Sequence, residues 1–163
     1  MPGSAKEFGY ARAYVARTVA PILLALALIF GAAACGDDSS DEFKDQYNQA
    51  VRPLSTLGDD IGDSLSGAGG QSNQELGAQF EKLADRANQT RENLAELDPP
   101  EDATDQFDEL LASLKQAVGD LRAVGASARE GDPAEAEKAT QELVESGQRV
   151  QEAEADFKDA VEG

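Results

Sequence analysis

The stretch Asn73–Leu97, NQELGAQFEKLADRANQTRENLAEL, carries the clearest pattern in the chain. Leu76, Phe80, Leu83, Ala87, Thr90, Leu94 and Leu97 follow one another at alternating gaps of four and three. That spacing gathers them on one face of an α-helix and leaves the charged and amide side chains on the other. A helix with a single apolar stripe must cover it against something. The fold therefore turns on whether the flanking sequence supplies matching stripes.

It does, on both sides. Before it, Phe43, Tyr47, Ala50, Leu54, Leu57, Ile61 and Leu65 keep the same spacing from about Asp41 onward. Pro53 lies inside that pattern and predicts a kink or break, because proline lacks the N–H of the helical ladder. Gly58 and Gly62 weaken the second half, so a bent helix or two short ones in line are expected. Ser66–Asn73, rich in glycine and serine, reads as a flexible loop. After the quoted stretch, Asp98-Pro99-Pro100 ends one helix and starts the next. The new stripe is Ala103, Phe107, Leu110, Leu114, Ala117, Leu121, Val124 and Ala128, widened by Leu111 and Val118. Gly131 stops it. Asp132-Pro133-Ala134-Glu135 then places an N-cap, a proline at the first helical position and an acid in the first turn. The last stripe is Ala136, Thr140, Leu143, Gly147, Val150, Ala153, Phe157 and Val161.

Four such helices joined by short turns predict an all-α fold, an antiparallel up-down-up-down four-helix bundle. In that arrangement Phe43, Tyr47, Phe107 and Phe157 share one end with Leu97 and Val161, and Phe80 stands toward the other. The far half holds Gly58, Gly62 and Gly125. The plain expectation is that the aromatics are core and the small residues let helices approach. The functional alternative is a thin-walled far end that opens to a ligand or partner helix.

The residues ahead of the bundle have another character. Lys6, Arg12 and Arg17 precede an apolar run, Val19–Ala34, interrupted only by Pro21 and Gly31. At about 1.5 Å per residue the run is shorter than a hydrocarbon core of about 30 Å. A basic start, short apolar centre and small-residue end predict a secretory signal at 1–34, an N-terminal signal or anchor helix. An uncleaved membrane helix is the alternative. Gly31-Ala32-Ala33-Ala34-Cys35 resembles the lipobox of bacterial lipoproteins, with Ala32 where that family most often has Leu. The resemblance implies cleavage between Ala34 and Cys35, a diacylglyceryl group on the Cys35 sulfur, and a membrane anchor on the extracytoplasmic face. Ala32-Ala33-Ala34 also satisfies the rule for ordinary secretion, which leaves a freely secreted product as a further alternative. In overall texture the chain resembles the small helical lipoproteins of high-GC bacteria, a likeness that carries no activity with it. The reading divides the chain into a signal at 1–34, a lipidated cysteine and acidic tether at 35–40, and the bundle at 41–163.

Composition narrows the partners. The chain has 32 acidic and 14 basic residues, a net charge of −18. Removing residues 1–34 takes away Lys6, Arg12, Arg17 and Glu7, and the remainder carries about −20. Such a charge repels nucleic acid and anionic headgroups and makes a basic envelope protein, a cationic ligand or a divalent ion the natural partner. Cys35 is the only cysteine, so no internal disulfide exists, and acylation would also protect an otherwise reactive exported thiol.

Chemistry is sparse. The chain has no histidine, which removes imidazole relays and the histidine-based zinc and di-iron sites. There is no phosphate-binding glycine motif, and no catalytic residue, cofactor or metal site is predicted. Asp37, Asp38, Asp41 and Glu42, and Asp59, Asp60 and Asp63, are acidic clusters without the spacing of a calcium loop. They read as solvated faces. The sequence thus predicts a lipid-anchored, non-catalytic binding or structural module of the cell envelope; the alternative is a small-molecule or cation sensor or scavenging receptor with a ligand between its helices. Far-UV circular dichroism of residues 36–163 is expected to be dominated by helix, and a strong strand signal would reject the fold class.

Overall fold

The computed structural model describes residues 38–162 of the chain. Four helices account for nearly all of them: α1 (Asp38–Gly67), α2 (Asn73–Leu94), α3 (Thr104–Glu130) and α4 (Pro133–Glu162). Two short 3-10 turns, Ala68–Gly70 and Glu101–Ala103, complete the path. Among the described residues there is no strand, and no helix is long and apolar enough to cross a membrane.

α1 begins three residues ahead of the expected start, inside the stretch 35–40 read as a tether. It is one helix of 30 residues with Pro53 inside it, so of the two expected forms, one bent helix or two short ones in line, the chain takes a single helix. The ring of Pro53 is exposed, while Leu54 beside it and Leu57 one turn on are buried. The missing hydrogen bond therefore falls on the solvent side, where water satisfies the freed carbonyl, and burial on the inner side holds the helix together.

The predicted loop is mostly ordered secondary structure. α1 runs through Ser66 and Gly67 into a 3-10 turn, and only Gln71 and Ser72 separate that turn from α2. Ser72 and Glu75 form a reciprocal capping box. The Ser72 hydroxyl accepts from the Glu75 N–H at 3.3 Å, and the Glu75 carboxylate accepts from the Ser72 N–H at 2.9 Å. These bonds, the backbone one first, hold the Glu75 carboxyl below the usual glutamate range. At its far end α2 tightens, with Leu97 donating to the Leu94 carbonyl at 3.0 Å, so the regular helix stops three residues short of Leu97. α3 closes on Gly131, whose φ of 73° lies in the left-handed region, and its N–H donates to Ser127. Asp132 caps α4 as predicted, its carboxylate accepting from Ala134 and Glu135.

The buried positions follow the predicted stripes through α1, α2 and most of α3. The first half of α4 departs from them. There Ala139 and Ser146 are buried, while Thr140, Leu143 and Gly147 are half-buried. A straight helix drifts about 20° per heptad from a strict four-and-three repeat, so over this length the inner face shifts by one residue. Among the described residues, Phe80 apart, the aromatics meet at one end. Phe43, Tyr47, Phe107 and Phe157 form a continuous set of ring contacts with centroids 5.1–6.2 Å apart.

Consecutive helices pack on one another, and α2 and α3 come together at Gly77 and Gly125. A Cβ added at Gly77 would stand 2.7 Å from the Gly125 carbonyl oxygen and would collide with Arg129. A Cβ at Gly147 would meet nothing within 4 Å. Gly77→Ala is therefore expected to destabilise the fold by about 1–3 kcal/mol through overpacking. Gly147→Ala is expected to stabilise it by about 0.5–1 kcal/mol through helix propensity. Denaturant unfolding of both variants checks the pair, and loss of stability in both would contradict it.

Candidate functional site

Cys35 and Ala34, the predicted lipidation and cleavage positions, lie outside the described residues, as does Asp37. Of the acidic clusters, Glu42 is exposed and accepts from Gln46, and Asp59 and Asp63 are exposed. Asp60 is paired with Arg86 of α2, which also donates to the Thr56 hydroxyl. Among the described residues no group of three or more acidic, histidine or cysteine side chains is placed to hold a metal ion.

The four helices do enclose a cavity, and it lies on the α1–α4 side next to the aromatic cluster rather than in the glycine-bearing half. Its volume is about 40 Å³, and its apolar wall includes Val51, Leu54, Leu94, Leu110, Leu114 and Val150. Tyr47, Asn48 and Glu154 supply the polar part of the lining. Glu154 pairs with Lys158 at 2.7 Å, and both side chains are mostly buried. The space suffices for about two or three water molecules and is well below the roughly 150 Å³ that admits benzene in an engineered apolar cavity. As it stands it is a niche for water or a very small polar molecule.

Two features of this region, and a buried acid elsewhere on α3, were not read from the sequence. Asn48 and Glu154 flank stripe residues one position along, so they border the core without belonging to it. Glu154 and Lys158 are four apart in the favourable order, a spacing that signals a pair but not its burial. Asp120 is 6 % exposed, whereas no charge was expected in the core. It sits beside Leu121 on the inner face of α3. One of its oxygens accepts from Gln116 at 2.9 Å, and the other has no hydrogen-bond partner among the described residues.

No family model matches the chain, and no curated protein or solved structure matches it either.

Tyr47 reports on this region. Burial first, and the nearby Glu154 carboxylate second, push its phenol well above the ordinary value of 10.0. The neutral phenol is thus favoured by the fold. Its contribution is fully present below the ordinary value and is lost as pH rises from there, because the unfolded chain then gains stability by ionising. The stability difference between wild type and Tyr47→Phe should be flat from pH 7 to 9 and shift against the wild type above pH 10, approaching about 1.4 kcal/mol per pH unit. Urea titrations across that range check it; a difference that stays constant to pH 11 contradicts it.

Proposed function

We propose that the chain is a lipid-anchored, non-catalytic binding or structural module on the extracytoplasmic face of a bacterial cell membrane. The observation that carries this reading is the single cysteine, Cys35, placed directly after Gly31-Ala32-Ala33-Ala34 at the end of a short apolar run. Acyl chains at that sulfur contribute about 0.8 kcal/mol per buried methylene, and two or more of them hold a protein to a bilayer. The envelope module would then project an acidic helical body from the membrane, with a basic envelope protein or cationic ligand as partner and no affinity for nucleic acid.

The arrangement of the helices in this reading is up-down-up-down. Ring contacts among Phe43 near the start of α1, Phe107 near the start of α3 and Phe157 near the end of α4 support it. So do the pairs Glu81–Arg129 and Asp85–Arg122, in which position rises along α2 as it falls along α3. With α1 leaving the membrane, the aromatic end faces the bilayer.

A second reading, a sensor or scavenging receptor, is favoured by the cavity between the helices. It separates from the first by a ligand-dependent rise in melting temperature, which a purely structural module lacks.

The anchor is tested by metabolic labelling with a fatty-acid analogue. Wild type is expected to incorporate the label, and Cys35→Ala to lose it and accumulate as an unlipidated, longer or misprocessed product. Equal incorporation in both would end the proposal, as would a native N-terminal peptide whose mass carries no lipid.

A further inference from the structure

α1 is joined to the bundle on different terms from the other three helices. The backbones of α2 and α3, and of α3 and α4, pack closely along much of their length, with Gly77, Gly125, Ala139 and Ser146 buried on these helices. α1 has a smaller contact with α2, and its backbone stays apart from that of α4. Side chains bridge the α1–α4 seam instead, through the contacts of Phe43 and Tyr47 with Phe157, at 6.0 and 5.1 Å.

Beyond that aromatic contact the seal thins. Leu54, Leu57 and Ile61 are 7, 8 and 9 % exposed, whereas the apolar residues buried on α3 lie between 2 and 4 %. The cavity occupies the same seam, with Val51 and Leu54 as part of its α1 wall. The polar link from α1 to α2, Asp60 and Thr56 with Arg86, is nearly half exposed and so is weakened by solvent screening. The join to α2 is short and rich in glycine. Gly67 precedes a 3-10 turn that includes Gly69 and Gly70 and buries no residue, and a Cβ at Gly70 would meet nothing within 4 Å.

Opening free energy follows the apolar contact that an opening breaks, and segments with the least contact open alone. We propose that α1 swings away from α2–α4 as one unit, turning on Gly67–Gly70, while the other three helices stay packed. The opening uncovers Leu94, Leu110, Leu114 and Val150 and converts the small cavity into an apolar groove. It is a property of the chain alone and requires neither a ligand nor the lipid anchor.

Native-state hydrogen exchange on the full-length chain in detergent, read peptide by peptide at increasing denaturant below the unfolding transition, tests the proposal. The slowest α1 amides should exchange at least about 100-fold faster than the slowest α3 amides, with a weaker dependence on denaturant. Equal rates and equal slopes in all four helices would overturn it. Gly77→Ala supplies a second measurement, because the clash it introduces lies between α2 and α3 and burdens the closed and α1-open states alike. It should accelerate exchange in α2–α4 by at least about fivefold and leave α1 unchanged. Acceleration of α1 to the same degree would mean that the four helices open only together.

Discussion

The seating of α1 on the other three helices depends on the cluster of four rings, Phe43, Tyr47, Phe107 and Phe157. This cluster ties α1 to α3 and α4 at once, and two of its members, Tyr47 and Phe157, are among the most completely buried side chains. Rings bring large apolar area and prefer tilted and edge-on arrangements, as found here. They also hold backbones apart. The α1–α4 seam, bridged by rings and lined beyond them by leucine and valine, keeps a cavity that a seam built on small residues would close.

The α2–α3 contact shows the opposite solution. Gly77 and Gly125 remove side chains where the two helices meet, and Arg129 passes over Gly77 to reach Glu81 at 3.0 Å. Backbone approach there is so close that one methyl group would be out of place. Similar logic holds in the first half of α4, where Ala139 and Ser146 are the residues turned inward. The core is therefore uneven: tight across α2, α3 and α4, looser beneath α1. Stability in such a molecule is distributed by helix, and α1 holds the smallest share.

Helix existence and type were legible in the sequence because the four-and-three spacing is a direct consequence of helical geometry. The sequence placed Phe43, Tyr47, Phe107 and Phe157 at one end, and the four rings do meet. What failed to read through was local. Pro53 left one bent helix and two short ones both open, and the burial of Leu54 and Leu57 behind an exposed proline holds a single helix. Ser66–Asn73 looked like a loop from its glycine content, though Ser72 and Glu75 stood at capping-box spacing and marked the start of α2. The burial of Asp120 and the place of the cavity depend on how helices rotate against one another. A strict repeat in one chain does not encode those few tens of degrees.

Electrostatics adds a constraint that the core must overcome. With 32 acidic and 14 basic residues, most carboxylates cannot be paired one to one with a basic side chain. The ion pairs described between different helices all use arginine: Arg86 to Asp60, Arg122 to Asp85 and Arg129 to Glu81. A guanidinium offers a fork of donors on a long stem, which suits spanning two helices. The two pairs described with lysine, Lys138–Glu142 and Lys158–Glu154, stay within α4. All three cross-links between helices involve α2, which receives Asp60 from α1 on one side and Arg122 and Arg129 from α3 on the other. Repulsion among the remaining acids acts on the whole surface. The spacing imposed by the rings and the glycine-rich turn before α2 act on the same helix, α1.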